Sequence, residues 1–168
     1  FMAVNPNIKI VVADDSGTMR IMFKQILNKA GYENLVMAVN GADGLEKVKA
    51  EKPDLVISDW NMPQMDGLEF LENLRKTDEF KDLPFIMATA QSDKGQQITI
   101  MEAGGSGHVP KPFDEEQIRK AIEKAFAGDS VDDGPRPKQR QIIGGRVELN
   151  VAHIQITNHL ALGALKHR

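Results

Sequence analysis

Short apolar runs and amphipathic stretches alternate through the first 128 residues. Residues 8–13, Ile-Lys-Ile-Val-Val-Ala, are nearly all apolar, the pattern of a strand covered on both faces. Residues 35–39, 55–58 and 85–88 predict three more strands, and 106–109 a fifth with a weaker signal. The stretches between them follow a helical period. Met19, Met22, Phe23, Ile26, Leu27 and Ala30 fall on one helix face, and Gly31 follows as a stop signal. Residues 41–51, 66–76, 93–103 and 114–127 predict the other helices. Asp114 is placed to cap the last one, and Ile118, Ile122, Ala125 and Phe126 give it a buried stripe. Five strands alternating with five helices predict an α/β fold, a doubly wound parallel sheet with helices on both faces. Right-handed crossovers leave few topologies, and ligands in such folds bind outside the carboxyl ends of the strands.

The pattern changes after Gly128. Residues 129–145 begin with a run rich in charge, proline and glycine and almost free of apolar residues, which predicts a linker. Residues 146–168 predict a strand-like tail with a short helical end. Val147, Leu149 and Val151 alternate, and Ile154 and Ile156 resume one step out of phase, so a bulge near Ala152 would reconcile the halves. So short a segment cannot form a core alone. The expected organisation is a domain over residues 6–128, a linker over 129–145 and a tail over 146–168.

Composition narrows the chemistry. The 168 residues include no cysteine, which excludes disulfides, thiolate metal sites and a cysteine nucleophile. A net charge of −3 gives no bulk attraction to nucleic acid or acidic membranes. No apolar stretch approaches the roughly 20 residues of a membrane span, and no basic segment leads into an apolar core as in a secretory signal, so the expected compartment is the cytoplasm.

The polar residues that end the apolar runs carry the chemistry. Asp14 and Asp15 follow the first strand, Asp59 the third, Thr89 the fourth and Lys111 the fifth. All lie on one rim of the predicted sheet. Carboxylates packed within a few ångströms repel by about 4 kcal/mol per pair at an effective dielectric near 20. Lys111 supplies one neutralising charge, and a hard divalent cation on oxygen ligands, Mg²⁺, would supply two. A carboxylate beside such an ion can attack phosphorus, with the metal, the ammonium and the Thr89 hydroxyl neutralising the phosphoryl oxygens.

Asp14-Asp15, Asp59-Trp60-Asn61-Met62-Pro63 with Asp66-Gly67, Thr89-Ala90 and Lys111-Pro112-Phe113 resemble the response-regulator receiver domain, most nearly the single-domain chemotaxis regulators of the CheY type. The runs Thr18-Met19-Arg20 and 58–63 carry the same likeness, which covers residues 6–128. The resemblance implies a flavodoxin-like sheet of order 2-1-3-4-5. It implies that Asp59 accepts a phosphoryl group from a phosphohistidine on a sensor histidine kinase. Asp15, Asp59 and the Asn61 carbonyl would bind Mg²⁺, with Asp14 acting largely through water. Lys111 would pair with the phosphoryl group, Thr89 would move to hydrogen-bond it, and the Lys111–Pro112 bond would be cis. The implied role is a phosphorelay switch rather than an enzyme. Its partners would be the kinase and a downstream protein such as a flagellar motor component or a phosphatase, with no nucleic acid and no membrane.

Several residues depart from the family pattern or refine it. His108 stands where receivers often carry an aromatic switch residue, and an imidazole there predicts pH dependence between about 5.5 and 7.5. Pro110 removes a backbone donor, which an edge strand tolerates. Asn61 and Gln91 border the expected water path as neutral amides. Neither is a general base, so self-dephosphorylation is expected to be slow to moderate. A phosphatase using Asp59 would want a second carboxylate at position 61, and Asn61 argues against it. The tail is too small for a winged or tetrahelical DNA reader and has no basic stripe. It could pair with a second chain in a homodimer, dock on its own domain, or begin the effector of a larger regulator.

Overall fold

The computed structural model describes residues 4–90 and 93–128, which lie within one compact unit. The expected linker and tail, and Gln91, lie outside the described residues. Five strands, β1 (Ile10–Ala13), β2 (Leu35–Ala38), β3 (Leu55–Asp59), β4 (Phe85–Thr89) and β5 (Gly107–Pro110), form one parallel sheet in the order β2-β1-β3-β4-β5. The helices are α1 (Gly17–Lys29), α2 (Gly41–Glu51), α3 (Gly67–Arg75), α4 (Lys94–Glu102) and α5 (Glu115–Ala127), with a 3₁₀ turn at Asp78–Phe80.

Side chains alternate across the sheet and build two cores. Ile10, Val12, Ile57 and Ile86 pack on the side of Phe23, Leu27 and the α5 stripe. Val11, Ala13, Val56 and Phe85 pack on the side of Val48 and of Phe70 and Leu74 of α3. Because both faces are covered, the strands read as continuous apolar runs.

The helix starts obey the capping chemistry. Ser16, Asn40, Asp66, Asp93 and Asp114 each accept the backbone N–H three residues on, and Asp114 forms a capping box with Gln117. Two expected core positions turn outward. Met22 is 37% exposed and Phe126 38%, because Phe23 and Leu27 hold the centre of the α1 stripe and Ala125 continues that of α5. The first strand starts at Ile10 rather than residue 8, since the Lys9 N–H donates to the Asp54 carboxylate. Pro110 sits on the edge strand opposite Thr89, where its missing donor leaves no gap in the ladder.

One backbone approach binds the fold to the carboxyl rim. The Gly67 N–H, at the start of α3, donates to the Trp60 carbonyl at 2.8 Å. A Cβ on Gly67 would lie 2.2 Å from the Asp59 carbonyl oxygen and 2.7 Å from Met87 Sδ. Neither α3 nor β3 can yield without moving the other. Gly67→Ala is expected to cost about 3 kcal/mol, the upper end of ordinary overpacking, measured by urea unfolding in a chelator.

Candidate functional site

The sheet register explains how residues far apart in sequence meet. Ala13 pairs with both Ala38 and Ser58, Asp59 with Ala88, and Thr89 with Pro110. Asp14, Asp59, Thr89 and Lys111 therefore leave the sheet along one rim. One oxygen from each of Asp14, Asp15 and Asp59 lies within 4.8 Å of the others. Lys111 reaches across them, its Nζ 2.8 Å from Asp14 Oδ2 and 3.1 Å from Asp59 Oδ1. Beneath the ammonium lies the Phe23 ring, its centroid 5.9 Å away, which adds a weak cation–π attraction.

The three carboxylates are not equivalent. Asp14 is 1% exposed and both its oxygens are engaged, Oδ1 by the Ser16 N–H at 2.9 Å and Oδ2 by Lys111. Asp59 Oδ1 accepts from the Trp60 N–H at 2.8 Å and from Lys111. Among the described residues, Asp59 Oδ2 and the whole Asp15 carboxylate meet no protein donor. The donor set fits a hard divalent cation. It offers three negative charges against one ammonium, with unclaimed oxygens on the two acids that the resemblance assigns to the metal. Burial pushes the Asp59 carboxyl above its ordinary value. Lys111 opposes that shift, and the charge of Asp14 adds to it.

Thr89 ends β4, is 3% exposed, and directs its hydroxyl toward Gln96 Oε1 of α4 at 3.5 Å, while its carbonyl accepts the Lys111 N–H at 2.8 Å. Asn61 sits exposed in the loop between β3 and α3. The Lys111–Pro112 bond is cis, which turns the chain from β5 into α5.

The response regulator receiver domain family matches residues 10–123. The chain belongs to the response regulator receiver domain family. It is 37% identical to the chemotaxis protein CheY-3 of Vibrio cholerae over 123 residues, 73% of this chain and 95% of the relative. It is 38% identical to the chemotaxis protein CheY1 of Helicobacter pylori over 116 residues, 68% of this chain and 94% of that one. Among solved structures it resembles the chemotaxis response regulator CheY4 of Vibrio cholerae, with a TM-score of 0.66 and 32% identity over 71% of this chain and 98% of the other. A putative response regulator from Chloroflexus aurantiacus matches at 0.67 and 30%, over 72% and 98%. Phosphorelay signalling is the general function of this receiver family, whose CheY-type members are signal transducers rather than classical enzymes.

Around the receiver site, three contributions escaped the sequence. The Ser16 N–H holds Asp14, the Phe23 ring floors Lys111, and the Arg20 guanidinium donates through Nη1 to the Asp14 carbonyl at 2.8 Å. In sequence, Ser16 and Phe23 look like a cap and a core residue, which they also are. Position 108 lies apart from the carboxylates, half-buried on the edge strand opposite Met87. Burial depresses the His108 imidazole, and the Lys124 charge depresses it further. Its charge change is therefore displaced below the ordinary value near 6.5. The neutral ring contributes stability above that value, and the contribution is lost as pH falls through the depressed one. Thermal unfolding should show less acid sensitivity in His108→Gln, and an imidazole NMR titration should place His108 below an unfolded-chain histidine. An equal or higher midpoint would contradict this placement.

Among the described residues, no helix is long and apolar enough to cross a membrane.

Proposed function

We propose that this receiver is a magnesium-dependent phosphorylation switch with Asp59 as the acceptor. The observation that carries the reading is the Lys111 ammonium held between Asp14 and Asp59, beside unclaimed oxygens of Asp15 and Asp59. In the proposed step, an Asp59 carboxylate oxygen forms a bond to phosphorus as the phosphorus–nitrogen bond of a phosphohistidine breaks, and the donor imidazole leaves. Asp15, Asp59 and the Asn61 carbonyl hold the Mg²⁺, which supplies charge neutralisation on the phosphoryl oxygens. Asp14 stays paired with Lys111 and would add its negative charge to the metal site without binding the ion directly. Lys111 pairs with the arriving group. Thr89 turns from Gln96 toward it, and His108 on the neighbouring strand reports that movement to the surface.

The donor in this account is a sensor histidine kinase, and the readout is a protein partner in chemotaxis or motility, in keeping with the chemotaxis proteins it resembles. Such a phosphorelay works in the cytoplasm. The domain spans residues 6–128, with 129–145 as linker and 146–168 as a protein-binding tail. Asn61 is an amide and offers no general base, so autophosphatase activity stays slow.

Incubation with a small acyl phosphate and Mg²⁺ tests the reading. The protein should accumulate up to one phosphoryl group per chain and release phosphate slowly. Rapid multiple turnover would identify a phosphatase instead.

A further inference from the structure

The oxygens of Asp15 have a weakness as ligands. Asp15 is exposed, and among the described residues nothing hydrogen-bonds its carboxylate. Its direction is set by its backbone, and the peptide unit leading into it ends in the Asp14 carbonyl. That carbonyl is where Arg20 Nη1 donates, at 2.8 Å.

The Arg20 guanidinium makes this contact without being held in an ion pair. Among the described residues no carboxylate lies within ion-pair distance of it, although its charge bears on Asp43 at the start of α2. Asp43 is already taken by the Val39 N–H at 2.9 Å and Lys47 Nζ at 3.0 Å. The guanidinium instead folds back along the first turn of α1. Its Nη2 lies 3.6 Å from where a Cβ on Gly17 would stand, an ordinary van der Waals contact with that turn. The Arg20 N–H donates to the Ser16 carbonyl, and the Ser16 N–H donates to Asp14 Oδ1. The peptide between the two acids is thus held by Arg20 through its oxygen, and the Asp14 side chain by Ser16 and Lys111.

We infer that Arg20 is a positioning residue for the metal site, fixing the Asp14–Asp15 peptide so that the Asp15 carboxylate faces Asp59. The inference rests on the proposed Mg²⁺ site. Outer groups that orient metal ligands typically change metal affinity about 10–100-fold when removed. The sign separates positioning from charge. A guanidinium beside a cation site repels the cation, so if its charge alone mattered, removing it would tighten Mg²⁺ binding. If it positions Asp15, removing it weakens binding.

The measurement is Mg²⁺ titration without phosphodonor. It follows the fluorescence of Trp60, the chain's one tryptophan, whose backbone N–H donates to Asp59 Oδ1, with calorimetry as a second readout. Arg20→Met keeps the aliphatic stem and loses donor and charge, Arg20→Lys keeps a donor and the charge, and Arg20→Gln keeps a neutral donor on a shorter arm. The inference expects Mg²⁺ affinity to fall about 10-fold in Arg20→Met and to stay within about 3-fold of the parent in Arg20→Lys. Chelator-phase unfolding temperatures should stay close to the parent, which separates positioning from a general loss of fold. If Arg20→Met unfolds, the Arg20→Gln titration decides, with a loss of at least 3-fold expected. Unchanged or tighter binding in a folded Met or Gln variant overturns the inference alone. Absence of Mg²⁺ binding by the parent overturns the metal site itself.

Discussion

An Asp59→Asn variant is expected to take up no phosphoryl group and, without metal, to unfold at a higher temperature than the parent. The amide is a poor nucleophile and cannot form the acyl phosphate, so labelling should fall by about 1000-fold or more. The stability gain follows from the burial of the Asp59 carboxylate and, beside it, from like charges. The Asp59 carboxylate faces two like charges, Asp14 and Asp15, and one opposite charge, Lys111. One repulsive pair is left uncompensated. At about 4 Å that pair is worth between about 1 kcal/mol at the dielectric of water and about 4 kcal/mol at an effective value near 20.

The raised pKa of Asp59 points the same way, with burial the larger cause and Asp14 adding to it against Lys111. A carboxyl whose folded pKa is raised favours the fold below its ordinary value, and that advantage is lost as pH rises through the folded one. The Asn variant should therefore lead the parent at pH 7 and converge with it toward pH 4. Mg²⁺ should close the gap at pH 7, because it binds and stabilises the parent. Thermal unfolding with chelator and with Mg²⁺ measures both effects. A less stable Asn variant in chelator would contradict this account of the electrostatics.

The second large effect is expected at Lys111. Its side chain is 14% exposed, and that of Asp14, with which it pairs, is 1% exposed. Lys111→Met removes the cation and leaves Asp14 with the Ser16 N–H as its one donor among the described residues. Breaking a buried pair from one side typically costs about 3–5 kcal/mol, because the remaining charge is stranded. For a domain of this size that is a drop of roughly 10–20 °C. Adding Asp14→Asn should recover much of the loss, a coupling that a double-mutant cycle reads directly. Mg²⁺ should stabilise the Met variant more than the parent, since a divalent ion supplies the missing charge. Phosphoryl uptake should nevertheless stay low, as the group that pairs with the phosphoryl oxygens is gone. If Asp14→Asn adds to the loss, the buried pair is not what Lys111 supports.

The site was legible in sequence where apolar runs stop. A strand buried on both faces must be apolar throughout, so the first polar residue after it marks the carboxyl rim. Asp14, Asp59, Thr89 and Lys111 were placed by that rule alone. The strand order was not legible this way: right-handed crossovers permit several orders, and 2-1-3-4-5 came from the receiver resemblance. Side chains with two tasks were also hidden. Phe23 reads as core because it is core, and its service as the floor under Lys111 depends on α1 packing beside α5, which sets Phe23 against Phe113 in the loop that carries Lys111. Gly67 reads as a helix-start glycine, while its need comes from the Asp59 carbonyl, eight residues earlier and on another element. Met22 and Phe126 fit a helical period but lie at the margin of their stripes, and a period of 3.6 alone does not tell margin from centre.

The most direct test of the central claim is to locate the phosphoryl group. The protein is treated with a small acyl phosphate and Mg²⁺, then with borohydride, which reduces an aspartyl phosphate to homoserine, and the peptides are sequenced by mass spectrometry. Homoserine is expected at position 59, in a yield that collapses when Mg²⁺ is chelated. Conversion at Asp14 or Asp15 with Asp59 intact, or a yield indifferent to chelation, would contradict it.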